Sequence, residues 1–510
     1  MRHPISHFSL ICGLGLVIGC GPGAQPRPNV VLITLDTVRA DFVSCYGQAG
    51  GRAGGLPGGT TPQLDRLAAA GARFAEAHSA SGVTPVSHAT ILTGTFPPTH
   101  GLRVLSGDGG AHLSESVPTL ATRMKDAGYR TIAVHSAFPV SSVFGFDHGF
   151  DVFDSLEGEL AIDPARGKVR WDTNRFQRRS DETTARVMQA LEAVDEPWFL
   201  WIHYWDPHDP ILQPPPEALA GMPNAGRTEG PLSQAYTNFY AREIAFQDEQ
   251  IGHLLEAVGA YGDGGPLVAV TADHGEGLID GYRRHGWSKH RMTYREQLWV
   301  PLLLGGPGVP KGKVVDAQVR TADLAPTLLD YAGIAATPSE FDGISLRPWL
   351  EGARTDELVV YADQINAYDF NAGMVESQPN SAFLFTLSDG RWKYIYRPHA
   401  TAASELFDLR SDPLEEHNVA AEHPGEAQRL LAELGRMRPW VTRPYEQPGN
   451  EESNAALGGL GYLPGRSASG LVWTWSCPLH PDVSLERPGR CQTEDCDQEC
   501  VPSTDWSQRH

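Results

Sequence analysis

The chain of 510 residues holds 41 Lys and Arg against 62 Asp and Glu, which gives a formal net charge of −21 at pH 7. This acidic balance excludes a general nucleic-acid binder, because such a protein needs a basic face to neutralise phosphates. Apolar residues make up 41% of the chain and charged residues 20%, so the composition is that of a core-forming globular protein of about three domains.

The N-terminus predicts an export signal. A basic start (MRH) precedes a short apolar run over 8–18, which is too short for a permanent membrane helix. The VIGC that ends at Cys20 resembles a bacterial lipobox, although an ordinary secretory signal with a chance Cys is the alternative. We predict a signal peptide over 1–19, lipidation of Cys20 and a tether over 20–27. The protein is then exported and held by its lipid on the periplasmic side, with the bacterial outer membrane favoured.

The sequence predicts that the body of the chain consists of strands that alternate with helices. Buried strands are expected at 29–34, 131–135, 198–204, 267–271 and 300–304. Helices are expected at 61–71, 84–92, 180–194, 235–258 and 322–332. This alternation is typical of an α/β fold with a large, mostly parallel sheet flanked by helices.

The pattern changes after about residue 345, where the expected strands become shorter. They lie at 358–361, 382–387 and 392–396, and a helix is expected at 424–437. We therefore predict a catalytic domain over 28–345, a smaller C-terminal α+β subdomain over 346–445, a Gly-, Ser- and Asn-rich linker over 446–470 and a separate tail over 471–510.

Polar clusters follow the ends of the predicted strands. They are Asp36, the segment 203–208 and the segment 273–276. Because ligands gather at the carboxyl ends of strands in open α/β sheets, we expect these clusters to meet. Carboxylates together with imidazoles suit zinc or a similar divalent ion. A fourth cluster, 84–88, stands at a predicted helix start, where N–H groups and the helix dipole favour an oxyanion.

These segments resemble the sulfatase family of the alkaline phosphatase superfamily, and they occur in the family's order. The matching segments are NVVLITLDTVRADFVSCYG (29–47), TPVSHATILTG (84–94), TADHGEGL (271–278), HGWSKHRMTYREQLWVPLLLGGPG (285–308), VRTADLAPTLLDYAG (319–333) and ELFDLRSDPLEEHNVA (405–419). The resemblance covers roughly 28–440. It implies an alkaline-phosphatase-like α/β sandwich and a metal-dependent hydrolase of sulfate or phosphate esters.

The resemblance also implies a metal site. Asp36, Asp273 and His274 match the family's metal ligands, and Thr84 stands at the position of the nucleophile, where it also faces the metal. One divalent ion is implied there. Whether a second one binds stays open.

Further residues match positions that contact the substrate. Lys289 lies at the position of a lysine that contacts the transferred anion, and His208 aligns with a substrate-contacting histidine. His88 replaces the Arg of the family's Cys-x-Pro-Ser-Arg element. With Thr84, these residues form the predicted catalytic set.

Three more polar residues leave alternatives open. For His203 we favour a core histidine over a ligand. Asp206 is either a metal ligand or a turn residue before Pro207. His285 is either the ligand of a second metal or a residue that supports the ligands.

Thr84 is the main departure from the family, whose sulfatases convert a Cys or Ser at this position to formylglycine. A formylglycine hydrate expels sulfate by collapsing to the aldehyde, which a sulfated Thr cannot do. A phosphorylated Thr can be hydrolysed by a second in-line displacement. We therefore predict a Thr nucleophile that favours phosphoesters of a small molecule, a lipid head group or a glycan. The alternatives are a phosphotransferase to lipid or glycan and a lipid-anchored binding protein without activity.

Two smaller departures bear on the metal. Thr37 replaces the second of two consecutive Asp ligands, and His88 replaces a fixed positive charge. The loss of a carboxylate favours zinc or manganese over a calcium-type oxygen cage, with calcium as the alternative.

The tail holds a second candidate metal site. Its residues resemble a small heavy-metal-binding module, namely Cys477, His480, Cys491, Cys496 and Cys500. Soft thiolates with an imidazole suit zinc or copper. Two disulfides are the alternative outside the cytoplasm.

Overall fold

The computed structural model describes residues 27–47, 61–105, 112–154, 177–192, 194–208, 234–262, 264–367 and 377–437, with single positions and short strands between and beyond them. The predicted signal peptide, Cys20, the linker and the tail ligands Cys477, His480, Cys491, Cys496 and Cys500 lie outside the described residues. Within these limits, none of the helices combines the length and the apolar character that a membrane span requires.

A large mixed sheet forms the body of the described chain. Its strands are β1 (Val30–Leu35), β2 (Ala72–His78), β3 (Arg130–His135), β4 (Val152–Asp154), β5 (Trp198–Tyr204), β6 (Leu267–Ala272), β7 (Trp299–Val300), β8 (Leu302–Gly305) and β9 (Lys313–Arg320). The order is β9-β2-β8-β6-β1-β5-β3-β4, and β7 pairs with β2. Strands β1, β3, β4, β5 and β6 run parallel, whereas β8 is antiparallel to both of its neighbours.

Helices cover the sheet. They are α1 (Pro62–Ala70), α2 (Thr84–Thr93), α3 (Pro97–His100), α4 (Leu120–Asp126), α5 (Ser180–Leu191), α6 (Gln234–Ala257), α7 (Leu278–His285), α8 (Arg295–Leu298), α9 (Leu324–Tyr331) and α10 (Arg347–Leu350). Every side chain of β1 is buried, as the apolar run predicts for a central strand covered on both faces.

A second, antiparallel sheet follows in the C-terminal subdomain. It consists of β10 (Val360–Gln364), β11 (Leu384–Ser388), β12 (Trp392–Tyr396) and β13 (Glu405–Asp408) in sequential order. The last helix, α11 (Pro424–Arg436), buries Leu430 and Leu434 in the same apolar cluster as this sheet. Three shorter strands pair in the tail, at Trp473–Ser476, Ser484–Leu485 and Val501–Thr504, and Ile162–Asp163 pairs with Lys168–Val169.

The structure confirms the predicted fold class. It differs on one side of the large sheet, where neither the edge strand β9 nor its neighbour β2 was expected from the sequence. Both carry polar residues at half-exposed positions, so neither shows the apolar run that marks the central strands. The expected strand over 300–304 is divided at Pro301, whose missing N–H cannot join a ladder.

Candidate active site

The central strands bring the polar clusters to one edge of the sheet. Thr34 of β1 pairs with His203 of β5 on one side and with Thr271 of β6 on the other. The ends of these strands are therefore level, and Asp36 and Asp273 follow two of them. Both carboxylates are fully buried.

Asp36, Asp273 and His274 form a compact group. One candidate ligand atom from each residue lies within 4.8 Å of the others. Asp273 Oδ1 accepts hydrogen bonds from the backbone N–H groups of Thr37 (3.0 Å) and His274 (2.7 Å). His274 Nδ1 donates to the Gly275 carbonyl oxygen at 3.0 Å, which leaves Nε2 as the unprotonated nitrogen of the neutral ring.

The electrostatics of this group favour a cation. Asp36 Oδ1 and Asp273 Oδ2 are buried without a hydrogen-bond partner among the described residues. Burial, and next to it the Asp273 carboxylate, raise the pKa of Asp36 well above its ordinary value, and burial raises the pKa of Asp273. Two buried carboxylates with unused oxygens and one bare imidazole nitrogen fit a divalent metal ion, which would offset their charge.

Thr84 lies beside this group as the first residue of α2. Its Oγ1 is 3.3 Å from His274 Nε2, and Thr84 also lies beside the Asp36 carboxylate, whose pKa it acts to lower. The hydroxyl stands at the positive end of a ten-residue helix, where a developing anion is stabilised. The structure thus brings together Thr84, Asp36, Asp273 and His274, the four residues that the sequence places at the metal.

His88 supports Thr84 from below and does not face the metal group with a charge. Because a carbonyl oxygen only accepts, His88 Nδ1 donates to the Thr84 carbonyl at 2.8 Å, and Nε2 accepts from Thr34 Oγ1 at 3.0 Å. Burial lowers the pKa of His88 to about 4, so the ring is neutral at neutral pH. The side chain contacts the backbone of Thr84, and its Nδ1 also lies 3.7 Å from Asp273 Oδ2, so the membership of His88 in the catalytic set stays a prediction.

Lys289 and His208 lie on the other side of the site, with aromatic neighbours. Lys289 Nζ donates to the Tyr236 hydroxyl at 3.3 Å. The His208 ring stacks on Trp205, with centroids 3.8 Å apart, and lies 5.3 Å from the ring of His290. Both predicted substrate contacts are thus positioned near the site by neighbours on other elements.

The structure adds three residues to the predicted site. His203 is buried, as expected of a core residue, but its Nε2 lies 3.2 Å from Asp36 Oδ2. Glu276 Oε2 lies 3.4 Å from His290 Nδ1, and the His290 ring is 4.9 Å from that of His274. The sequence signals were present, because Glu276 follows the Asp-His-Gly segment and His290 directly follows the matched lysine, but neither residue belonged to a matched ligand position.

Asp206 and His285 lie apart from the metal group, which corrects both candidate ligands. Asp206 accepts hydrogen bonds from the backbone N–H of Ser180 (3.1 Å) and from its hydroxyl at the start of α5. His285 uses both nitrogens, Nδ1 at 2.6 Å from Glu296 Oε1 and Nε2 at 2.9 Å from the Glu415 carbonyl oxygen. Both ring nitrogens of His285 are thus occupied, and both oxygens of Asp206 are bound to Ser180.

Comparison with known proteins agrees with the fold and identifies the family. An α/β sandwich with a buried carboxylate–imidazole group beside a hydroxyl defines a hydrolase of the alkaline phosphatase type. The sulfatase family profile matches residues 28–334, and a profile described as N-sulphoglucosamine sulphohydrolase, C-terminal, matches 283–437. The chain belongs to the sulfatase family and is an ester hydrolase of that family.

Relatives cover most of the chain at low identity. A delta 4,5-hexuronate-2-O-sulfatase of Bacteroides thetaiotaomicron is 25% identical over 84% of this chain and 92% of its own length. A multifunctional alkaline phosphatase superfamily protein of Trinickia caryophylli is 25% identical over 78% of this chain and 92% of its own. The solved phosphonate monoester hydrolase of Silicibacter pomeroyi has the same fold, with a TM-score of 0.61 and 22% identity over 81% of this chain and 95% of that one.

Proposed function

We propose that this chain hydrolyses phosphate esters with Thr84 as an unmodified nucleophile. The observation that carries the proposal is the Thr84 hydroxyl, which lies 3.3 Å from His274 Nε2 and beside the Asp36 carboxylate within the buried group. A divalent metal held by Asp36, Asp273 and His274 would lower the pKa of this hydroxyl and stabilise the negative charge of the transferred group. Zinc or manganese suits the mixed nitrogen and oxygen donors.

The reaction proceeds in two displacements. The Thr84 oxygen bonds to phosphorus while the bond to the leaving oxygen breaks, which gives phosphothreonine and an alcohol. A water then attacks phosphorus, the bond to Thr84 breaks, and the hydroxyl regains a proton from that water. Lys289 and His208 compensate charge on the remaining phosphoryl oxygens and on the leaving group.

The identity of the nucleophile favours phosphate over sulfate. Formylglycine is made from Cys or Ser, and position 84 holds neither of them. The aldehyde that releases sulfate therefore cannot form from Thr84. Relatives named for hexuronate sulfate esters support a glycan as the organic half of the substrate, and a lipid head group or another small molecule would present the same phosphoester.

The preference for phosphate over sulfate is tested with two esters that share the same leaving group, p-nitrophenol. The purified chain is analysed for bound metal and assayed with p-nitrophenyl phosphate and p-nitrophenyl sulfate, so that only the transferred group differs. We expect faster turnover of the phosphate, inactivation by chelators and recovery with zinc or manganese. Faster turnover of the sulfate would contradict the preference. Turnover of neither ester would favour a binding protein. Release of p-nitrophenol only with an added alcohol, with the phosphoryl group recovered on that alcohol, would favour a transferase.

Substitutions test the nucleophile. Thr84→Ala should lower kcat by about 10³-fold or more, whereas Thr84→Ser, which keeps the hydroxyl, should retain part of it. Thr93→Ala is the matched control, because Thr93 is buried in the same helix and its hydroxyl donates to the Ala89 carbonyl. Acid-quenched enzyme should carry phosphate on Thr84. Wild-type rates in Thr84→Ala would exclude this residue as the nucleophile.

The proposal also includes a lipid anchor at the N-terminus and a metal site in the C-terminal tail. Lipidation of Cys20 would place the enzyme on the periplasmic side of a membrane, and Cys20→Ala should then release it or leave it unprocessed. The tail over 471–510 would bind about one zinc or copper ion through its thiolates and imidazole. Unchanged membrane attachment of Cys20→Ala would contradict the anchor, and two disulfides found by mass spectrometry would contradict the tail site.

A further inference from the structure

Helix α6 reaches the turn that follows Asp36 through the hydroxyl of Tyr240. Tyr240 is 1% exposed, and its ring packs edge to face against Phe42, with centroids 4.8 Å apart. Its hydroxyl donates to the Thr37 carbonyl oxygen and accepts from the Arg39 N–H at 3.0 Å. One side chain thus binds both ends of the turn that follows Asp36.

This turn contains an unfavourable backbone conformation. Thr37 has φ of 55°, in the left-handed region that a β-branched residue rarely adopts. Such a conformation is energetically costly and persists only where its surroundings hold it. The hydrogen bonds of Tyr240 lie on the carbonyl side of Thr37, where they oppose relaxation of the turn.

The conformation of Thr37 orients a metal ligand. The Thr37 N–H donates to Asp273 Oδ1 at 3.0 Å, and the His274 N–H donates to the same oxygen at 2.7 Å. Oδ2 is thereby left without a partner among the described residues and within reach of the group. The preceding Asp36 N–H is fixed separately by the Tyr204 carbonyl at 2.8 Å.

We infer that Tyr240 is a positioning residue for the metal site, because its hydroxyl holds Thr37 in the left-handed conformation that directs Asp273. The inference rests on the proposed function for the metal at Asp36, Asp273 and His274, and it does not require ester hydrolysis. Substitution of a residue that orients a metal ligand in this way typically lowers the metal affinity about 10- to 100-fold.

The chain offers a matched control for the lost hydroxyl. Tyr46 is also 1% exposed, and its hydroxyl donates to the Leu302 carbonyl oxygen (3.0 Å) and accepts from the Leu302 N–H (2.7 Å). Like Tyr240→Phe, Tyr46→Phe therefore removes a hydroxyl that bridges a backbone carbonyl and a backbone N–H. The two groups that it bridges, both of Leu302, do not contact a metal ligand.

The experiment measures zinc affinity of the full chain by competition with a chromophoric chelator. Asp273→Asn provides the baseline for zinc bound outside the active site. We expect Tyr240→Phe to raise the Kd about 10- to 100-fold, with most of kcat and an unchanged KM recovered at saturating zinc. Tyr46→Phe should leave the Kd at the wild-type value. Adding Thr37→Gly to Tyr240→Phe should restore much of the affinity, because glycine adopts positive φ without strain.

Three results would overturn the inference: a wild-type Kd in Tyr240→Phe, an equal rise in Tyr46→Phe, or no recovery on adding Thr37→Gly. A wild-type chain that binds no zinc above the baseline overturns both this inference and the proposed function. A chain that binds zinc and hydrolyses neither ester overturns the proposed function alone, and the Kd comparison still decides the role of Tyr240.

Discussion

His88 provides a sharp test of how the nucleophile is held. In His88→Phe a somewhat larger aromatic ring takes the same place, and the hydrogen bonds to the Thr84 carbonyl (2.8 Å) and to Thr34 Oγ1 (3.0 Å) are lost. Thr34 Oγ1 still accepts from Trp201 Nε1 at 3.0 Å and can donate to the Ile202 carbonyl at 3.3 Å, so no new buried polar atom is left unsatisfied.

The expected loss of stability is therefore small. Two hydrogen bonds at about 1 kcal/mol each, partly offset by an apolar ring in an apolar site, give about 1–2 kcal/mol. The midpoint of thermal unfolding should fall by about 2–5 °C. The effect on catalysis should be larger, because a nucleophile displaced by a fraction of an ångström loses about 10- to 100-fold in rate.

The assay is steady-state kinetics of His88→Phe at saturating metal, beside thermal unfolding. If His88 supports the Thr84 backbone as a neutral ring, kcat falls and KM stays unchanged. If His88 instead contacts the transferred anion as the family's Arg does, KM rises with little change in the unfolding midpoint. The second result would refute the supporting role and place His88 in the catalytic set.

Further predictions concern the two corrected ligands and the tail. Burial opposes the positive charge of His285, but the contact with Glu296 outweighs burial and raises the pKa of His285. The ion pair therefore stabilises the fold fully below the unfolded pKa of about 6.5. Its contribution falls as the pH rises through the folded pKa. Chemical unfolding should show a loss of about 2 kcal/mol in His285→Gln near pH 6 and a smaller loss at pH 9, and a constant loss would contradict the charged pair. Asp206→Asn should cost about 1–2 kcal/mol through its hydrogen bonds to Ser180, with kcat unchanged, and a metal-dependent loss of kcat would restore Asp206 as a ligand. Removal of 471–510 should leave ester hydrolysis unchanged in the same assay, and a lower kcat would show that the tail takes part.

The sequence predicts the centre of the fold and of the site for one physical reason. Central parallel strands are buried on both faces, so they read as apolar runs, and the polar residue that ends each run marks the active edge of the sheet. Asp36 and Asp273 stand at such ends, and Thr84 begins a helix beside them. These positions follow from local patterns, and the structure brings them together.

The corrections concern residues whose partners lie on other elements. His285 contacts Glu296 of α8 and, once the C-terminal subdomain has packed, the Glu415 carbonyl oxygen. Asp206 contacts Ser180 once α5 lies beside the strand end. A histidine or an aspartate near a metal segment has the right chemistry for a ligand, but the sequence does not show which other group satisfies it.

The two replacements at the site, Thr37 for an Asp and His88 for an Arg, make sense together. Each removes one charge of opposite sign, so the balance between the fixed charges is kept. What remains at the centre is the pair of carboxylates, Asp36 and Asp273, both fully buried, and a neutral His88 beneath them. No guanidinium is then left at the His88 position to offset the carboxylates, and a buried charge without compensation is costly. A divalent cation at Asp36, Asp273 and His274 would match the two carboxylates and would supply the compensating positive charge that position 88 does not.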